Sequence, residues 1–290
     1  MMTDMESKRI HNFQQKLMQR SSIGALKEYV TWQKSLRNGN AVDAPQFGPF
    51  SINLDLTSAC NYACPHCVDM DILNKGKFFR LGEIESSINT LCDKGLKSVI
   101  LIGGGEPTLH PQFQEVFKFL KKKGLQVSIV SNGTNMDKIL DIAEHFGPKD
   151  WVRLSLDSGD DESFQIIHKP KVKISLYEIC DKVRKVAERG VSVGFSFIAI
   201  WKGSKYKEVD LHDNIDEIPK AVKLAADSGY SYFAIKPCLV KLEDSKQESL
   251  LYKEKSEDTV GIAKRIKAKV DEAKSLYGDR IKIVESTNLK

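Results

Sequence analysis

Residues 51–67 read Ser-Ile-Asn-Leu-Asp-Leu-Thr-Ser-Ala-Cys-Asn-Tyr-Ala-Cys-Pro-His-Cys, an alternating run that leads directly into three cysteines. In the first seven residues, Ile52, Leu54 and Leu56 lie on one side and polar residues lie on the other. Strict alternation of this kind predicts a β-strand with one apolar and one polar face. If helices cover the apolar face, the polar face looks into the interior of a barrel.

The same pattern recurs along the chain. Five later β-rich runs alternate with amphipathic helices, and a glycine stands where each helix should end; the runs are 97–102, 126–131, 151–157, 191–200 and 230–237. Six strand-helix units in succession predict an α/β fold with a parallel sheet and outer helices. The units occupy about 190 residues, whereas a full eight-fold barrel needs roughly 250. We therefore expect a partial (β/α)6 TIM-like barrel.

Three parts follow from this spacing. Residues 1–50 are expected to form a helical extension, up to about residue 37, and an extended connector, both packed against the barrel. Residues 51–240 form the barrel itself. Residues 241–290 form a C-terminal extension with a polar linker, a helix over 260–276 and a short strand over 281–284.

Composition excludes several classes of protein. The 290 residues are 41% hydrophobic and 29% charged, with a net charge of +5, as in ordinary globular proteins. The N-terminus lacks the apolar core of a signal peptide, and no run approaches membrane-spanning length. Cys92, Cys180 and Cys238 are scattered and form no secreted disulfide framework. We expect a cytoplasmic protein without a membrane partner, and the diffuse charge makes nucleic acid an improbable partner.

The cysteine loop is the strongest chemical signal. Cys60, Cys64 and Cys67 have the spacing C-x3-C-x2-C, and thiolates so close in a tight loop can converge on an iron-sulfur cluster or zinc. A structural zinc site normally has four protein ligands, and no fourth cysteine lies nearby. His66 could complete a zinc site in principle, but its place beside Cys67 strains a tetrahedron. Three thiolates on a cluster leave one iron open to an exogenous ligand.

Polar and glycine-rich segments end the second and third strands, at the edge where parallel α/β barrels place their working residues. The second strand is followed by Gly103, Gly104, Gly105 and Glu106, whose glycines let a ligand approach the backbone. Alone, this run is more often a flexible turn from strand to helix. The third strand ends in Ser131, Asn132 and Gly133, also a common turn sequence.

The cysteine spacing after the first strand and the Gly-Gly-Glu run one unit later resemble the radical S-adenosylmethionine (SAM) superfamily, over roughly residues 50–240. The resemblance implies that Cys60, Cys64 and Cys67 hold a [4Fe-4S] cluster, whose fourth iron chelates the amine and carboxylate of SAM. An electron from the cluster then cleaves the sulfonium, and the 5'-deoxyadenosyl radical abstracts a hydrogen atom from substrate. The resemblance also implies the partial barrel and a reductant protein such as flavodoxin or ferredoxin.

The resemblance further implies a SAM pocket. Its Gly-Gly-Glu element, here Gly103 to Glu106, contacts the amino group of SAM, and His66 replaces the aromatic residue usual before the last cysteine. Ser131 and Asn132 complete the pocket, and the ribose or carboxylate of SAM meets the fourth strand at Ser155 and Asp157.

The remaining polar residues of the barrel interior are candidates for substrate contact. Arg153 shares a face with Ser155 and Asp157, and an Arg153–Asp157 salt bridge is the simplest alternative to a ligand site. Lys236 and Cys238 share a face of the sixth strand and form our candidate catalytic pair. Cys238 could donate a hydrogen atom to a substrate radical, bind metal or be an inert buried thiol.

The loop after the fourth strand, with His168 and Lys169, either closes over substrate or is ordinary surface. We expect an enzyme that acts on a polar small molecule of sugar or nucleoside type. Radical modification of a peptide is the alternative substrate class. A non-catalytic iron-sulfur or zinc protein is the alternative from another class.

Overall fold

The structure, a computed structural model, describes residues 20–40, 42–206, 208–241, 247–249 and 259–286. Seven strands form its main sheet: β1 (Ser51–Asp55), β2 (Ser98–Ile102), β3 (Gln126–Ser131), β4 (Trp151–Ser155), β5 (Ser192–Ala199), β6 (Tyr232–Pro237) and β7 (Lys282–Glu285). They lie in sequence order, and each neighbouring pair is parallel. Within the described residues, β1 and β7 pair on one side only, so the sheet is open and the predicted partial barrel is confirmed.

The helices lie between the strands as the periodicity predicts. They are α1 (Arg20–Arg37), α2 (Leu81–Asp93), α3 (Phe113–Lys122), α4 (Met136–Leu140), α5 (Asp161–His168), α6 (Leu176–Glu188), α7 (Ile218–Asp227) and α8 (Thr259–Tyr277). Local sequence explains where they begin. The side chain of Asp160 accepts from the amide of Ser163 at the start of α5, and Ser175 and Glu178 form a capping box at the start of α6.

The core lies between the sheet and its helices. Alternate residues of the central strands point toward the helices and are fully buried; they include Val127, Ile129, Val152, Leu154, Val193, Phe195 and Phe233. The residues between them point into the barrel, which places Arg153 and Ser155 of β4 in the interior. The period-two pattern in the sequence therefore assigned the two faces of these strands.

The N-terminal helix is described only in its second half. Arg20–Arg37 is helical, while the earlier part of the expected helix lies outside the described residues. Five of its apolar side chains are 37% to 48% exposed: Ile23, Leu26, Tyr29, Val30 and Leu36. Packing of this helix against the barrel stays a prediction. The loose apolar spacing of this segment supplies no continuous stripe to bury.

The C-terminal strand joins the main sheet. β7 pairs in parallel with β6, from Lys282 opposite Tyr232 to Glu285 opposite Ile235. Helix α8 packs against α7 and so returns the chain to the sheet edge. The predicted short last strand is thus a seventh strand of the barrel, while most of the polar linker lies outside the described residues. The division of the chain at residues 50 and 240 stays a prediction.

Candidate active site

The cysteine loop after β1 is held by its neighbours on both sides. The amide of Cys60 donates to Oδ1 of Asn74 at 2.9 Å, and the amide of Ala63 lies 3.2 Å from the carbonyl oxygen of His168. Tyr62, between them, is buried against the core. The three thiols of Cys60, Cys64 and Cys67 line one cavity of about 250 Å³ at the carboxyl ends of the strands.

The donor chemistry of these thiols fits a cluster. Burial raises the pKa of Cys60, raises that of Cys64 well above its ordinary value and raises that of Cys67 to about 11. Repulsion by neighbouring thiolates adds to the shifts of Cys64 and Cys67, and the charge of Glu106 adds to that of Cys60. Three thiolates in this cavity therefore require a compensating cation such as iron. Among the described residues, no three His, Cys, Asp or Glu side chains converge on a single-ion site. Thiols spread around a cavity suit a cluster, in which each binds a different iron.

The glycine run after β2 lies directly on the cysteine loop. The amide of Glu106 donates to the carbonyl of Ala59 at 2.8 Å, and a Cβ on Gly105 would lie 2.2 Å from the same carbonyl oxygen. Gly103 and Gly105 line the cavity of the thiols. Gly104, with a φ of +71°, lines a neighbouring cavity of about 740 Å³ instead. The run is therefore required by contact between two backbones, beside any ligand contact.

Glu106 is 2% exposed and is hydrogen-bonded through both carboxylate oxygens. Oε1 accepts from the amide and hydroxyl of Thr108 at 3.1 and 2.6 Å and from the hydroxyl of Ser131 at 2.8 Å, while Oε2 accepts from the amide of Asn132 at 2.7 Å. Burial raises the pKa of Glu106, and these donors oppose the rise. Glu106 thus joins the loops after β2 and β3, and its contact with SAM stays a prediction.

Asp157 follows β4 and is fully buried, with a φ of +50° that is unusual for a residue with a side chain. Its Oδ1 accepts from the amide of Ile198 at 2.6 Å, and its Oδ2 lies 3.4 Å from Nε2 of His66 and 3.4 Å from Nε2 of His168. Burial opposes the charge, yet His66, His168 and the amide hold the pKa of Asp157 below its usual range. Asp157 is therefore an ionised carboxylate between two imidazoles.

The expected alternative for Asp157, a salt bridge to Arg153, is wrong. Within the described part of the chain, the guanidinium of Arg153 lies over the ring of Trp151, 5.4 Å from its centroid, and reaches no carboxylate. The left-handed backbone of Asp157 turns its carboxylate toward His66 and His168 instead.

The candidate catalytic residues Lys236 and Cys238 line the cavity of the thiols, together with Ser155 and Arg153. Cys238 is 1% exposed. Burial, and then the charge of Arg153, lower the pKa of Lys236. The structure places five predicted site residues around the same cavity as the three cysteines: Ser131, Asn132, Ser155, Lys236 and Cys238. Their roles there stay predictions.

The sequence model of the radical SAM superfamily matches residues 54–232, from β1 to the start of β6. The chain belongs to the radical SAM superfamily. Enzymes of this superfamily use a [4Fe-4S] cluster and SAM. The roles of the three thiols and the glycine run of this radical SAM chain stay predictions.

Two curated relatives are similar to part of this radical SAM chain. A SAM-dependent nucleotide dehydratase of Thermoplasmatales archaeon (strain ISO4-H5) is 33% identical over 111 residues, covering 38% of this chain and 39% of the relative. A GTP 3',8-cyclase of Actinobacillus pleuropneumoniae serotype 3 is 28% identical over 147 residues, covering 49% and 43%. The chain thus spans about two fifths of the length of the curated relatives it matches.

A solved structure is similar over almost the whole radical SAM chain. The crystal structure of Streptococcus suis SuiB bound to precursor peptide SuiA superimposes with a TM-score of 0.61, covering 99% of this chain and 66% of that one. Only 12% of the aligned residues are identical, so the likeness concerns the fold alone. Among the described residues, none of the helices has both the length and the apolar character to cross a membrane.

Sequence reasoning missed the position of His168. This last residue of α5 is 2% exposed, and its Nδ1 lies 3.2 Å from Sγ of Cys64. Burial lowers the pKa of His168 to about 4, so the ring is neutral at neutral pH. The neutral ring carries one proton, which on Nδ1 can be donated to the thiolate that Cys64 would present to a cluster. The expectation that His168 is ordinary surface is therefore wrong, whereas a role in closing over substrate stays a prediction, since His168 lines the cavity of the thiols.

His110 was also missed and is completely buried after the glycine run. Its Nδ1 accepts from the amide of Gln112 at 3.1 Å, which places the ring proton on Nε2, where it is donated to the carbonyl of Phe79 at 2.7 Å. The histidine joins the loop after β2 to the segment before α2. The sequence did offer one signal for this residue, namely a histidine shortly after the run from Gly103 to Glu106.

Proposed function

We propose that this chain cleaves SAM reductively and abstracts a hydrogen atom from a polar small molecule of sugar or nucleoside type. The observation that carries the proposal is the single cavity that joins the thiols of Cys60, Cys64 and Cys67 to the glycine run and to the polar ends of β4 and β6. When bound, the cluster supplies the electron that splits the sulfonium of SAM.

The chain's own residues bind and orient the reactants in this proposal. The three cysteines give up their protons and hold the cluster. Gly103 and Gly105 bring backbone amides and carbonyls to the cavity wall, while Glu106 fixes the loops after β2 and β3 relative to each other. Ser131, Asn132, Ser155, Asp157 and His66 form the remaining wall of the proposed SAM pocket.

Two features support a small polar substrate. Arg153, Ser155 and Lys236 make the far wall of the cavity polar, as a sugar or nucleotide requires. Two relatives that match part of the chain are named for action on nucleotides, as a nucleotide dehydratase and a GTP cyclase. The likeness to a peptide-bound structure supports only the fold, because 12% identity carries no substrate.

The initiating step is tested by anaerobic reconstitution. The wild type should bind about four irons per chain and give a broad visible absorbance. With dithionite and SAM it should form 5'-deoxyadenosine. Cys64→Ala should lose both signals, whereas Cys92→Ala, whose thiol packs against the core, should keep both. A chain that binds zinc and forms no 5'-deoxyadenosine would be the non-catalytic protein instead.

The substrate class is tested by deuterium transfer. Deuterated nucleosides, nucleotides and sugar phosphates are incubated with the reconstituted protein, and label in 5'-deoxyadenosine identifies the class that donates the hydrogen. Label only from deuterated peptides would replace the proposal with peptide modification. Reduced flavodoxin or ferredoxin in place of dithionite tests the proposed reductant in the same assay.

A further inference from the structure

The register of β4, β5 and β6 forms rows of side chains inside the barrel. Arg153 lies opposite Gly194, and Gly194 lies opposite Tyr232. One row nearer the cysteines, Ser155 lies opposite Ser196, and Ser196 lies opposite Ala234. The next row places Lys236 opposite Ile198.

These rows surround a space in the barrel interior, with a cation at each of two opposite corners. Arg153 stands on β4 in the first row, and Lys236 stands on β6 in the third. The hydroxyls of Ser155 and Ser196 lie in the row between them, and all four side chains line the same cavity. The central row carries only small side chains, so space remains between the two cations.

Neither cation is neutralised by a residue that the structure describes. Over the described residues, neither the Lys236 ammonium nor the Arg153 guanidinium forms a salt bridge or a hydrogen bond, although Arg153 rests on the face of Trp151. The carboxylate whose charge is felt by Lys236 is Asp157, which is already engaged by two histidines and the amide of Ile198. Two like charges in a shared cavity, without a counter-charge, are unfavourable unless an anion binds between them.

The chain also makes room beside Arg153. A Cβ on Gly194 would lie 2.1 Å from the ring of Tyr232, so the missing side chain lets this ring lie across β5 toward Arg153. The hydroxyl of Tyr232 is buried and has no hydrogen-bond partner among the described residues. Burial raises the pKa of Tyr232 to about 12, which keeps the hydroxyl protonated and available as a donor.

We propose that Arg153 and Lys236, with the hydroxyls of Ser155 and Ser196 between them, bind a phosphate group of the substrate. That this anion belongs to the substrate rests on the proposed function. A phosphate offers three terminal oxygens and about two negative charges, which match two cations and two hydroxyl donors. A carboxylate offers one charge and two oxygens in one plane, and it would leave one cation unpaired.

Calorimetric titration of inorganic pyrophosphate into the reconstituted, cluster-containing protein tests this site. The wild type should bind, and Arg153→Gln and Lys236→Gln should each weaken binding by at least about tenfold, because each removes a charge-assisted hydrogen bond. Lys220→Gln, which removes a surface ammonium paired with Asp160, should bind as the wild type does. Iron content and visible absorbance show that each variant has folded.

Two further titrations identify what the site prefers. Malonate, a dicarboxylate of similar size, should bind at least about tenfold more weakly than pyrophosphate; equal affinity would overturn the assignment to phosphate. Pyrophosphate should bind as tightly with SAM present as without it. Competition by SAM would show that the two cations bind the SAM carboxylate, which would also overturn the proposal.

The outcomes separate this inference from the proposed function. A wild type that forms 5'-deoxyadenosine from SAM yet binds no pyrophosphate would overturn the phosphate site and leave the function standing. A wild type that binds pyrophosphate through Arg153 and Lys236 but never cleaves SAM would overturn the function and leave the anion site standing. Variants with wild-type affinity would overturn the site whatever the SAM assay shows.

Discussion

The loops after β1, β2 and β3 and the interior of β4, β5 and β6 line the same cavity but treat their polar groups in opposite ways. In the loops, the carboxylate of Glu106 accepts four hydrogen bonds, and the amide of the same residue donates to the carbonyl of Ala59. In the interior, within the described residues, Arg153 and Lys236 have no carboxylate or carbonyl partner. The hydrogen bonds of Glu106 are therefore complete without a ligand, whereas the two cations of the interior lack such partners among the described residues.

This difference separates two kinds of functional residue. A buried polar group that the protein satisfies holds other groups in position, so its replacement should disturb the fold even in the metal-free protein. A buried polar group that the protein leaves without a partner is available to bind a ligand. Its replacement should stabilise the folded protein and weaken ligand binding. Substitutions in the two regions should therefore change stability in opposite directions.

Gly105→Ala should have the largest effect. The added Cβ would lie 2.2 Å from the carbonyl oxygen of Ala59, and this contact joins two backbones that have no flexible side chain to move. We expect a loss of about 3 kcal/mol or more in the free energy of unfolding of the metal-free protein, measured by urea denaturation.

Gly82→Ala is the matched control, because a Cβ at this exposed position of α2 meets nothing within 4 Å. It should leave stability unchanged or raise it by up to about 1 kcal/mol. If Gly105→Ala were as stable as the wild type, the two loops would not be in contact as described.

Glu106→Gln should destabilise the metal-free protein by about 2 kcal/mol. The amide replaces one carboxylate oxygen with a donor, which would then face the hydroxyls of Thr108 and Ser131 or the amide of Asn132. Urea denaturation without iron or SAM measures this loss separately from any role in binding. Glu144→Gln, an exposed carboxylate, should be neutral, and an equally neutral Glu106→Gln would mean that the carboxylate is kept only for ligand.

The sequence predicted the sheet and the cysteine site because both depend on local patterns. The alternation of Ile52, Leu54 and Leu56 assigned the two faces of the first strand, and the same period placed Lys236 and Cys238 on one face of β6. Parallel strands bring their carboxyl ends to one edge, so the polar strand ends were expected to meet the cysteine loop. The structure brings them together around one cavity.

Contacts between distant segments could not be predicted in the same way. His168 meets Cys64 across 104 residues of chain, and only the length and direction of α5 place its ring there. A salt bridge between Asp157 and Arg153 was the alternative because both share a strand face, but the positive φ of Asp157 turns its carboxylate toward His66 and His168. No local sequence pattern marks a left-handed aspartate.

His168→Phe should have an intermediate effect, on cluster retention more than on folding. Phenylalanine keeps a ring of similar size against Tyr62 and Phe164 but removes the nitrogen that lies 3.2 Å from Sγ of Cys64. Groups that orient a metal ligand are typically worth tenfold or more in affinity, so iron should be lost to a chelator about ten times faster. His145→Phe, on the surface, should release iron at the wild-type rate.

The smallest expected effect has the opposite sign. Lys236→Met should stabilise the metal-free protein by about 1 kcal/mol at neutral pH, because methionine fills similar space without a buried charge beside Arg153. The groups whose charges act on Lys236 are Arg153, Asp157 and Cys238, and the net effect, led by burial, lowers its pKa in the folded state. The unfolded chain therefore binds its proton more tightly than the folded chain does.

A lowered folded-state pKa makes the stability of the wild type rise with pH, relative to Lys236→Met, as the pH approaches the ordinary value of 10.5. The difference between the two proteins should be largest below the folded-state pKa and should shrink above it, in urea denaturation curves recorded from pH 7 to about 10.5. A Lys236→Met protein less stable than the wild type at pH 7 would mean that the fold itself uses this ammonium. The contrast between the two regions of the cavity would then disappear.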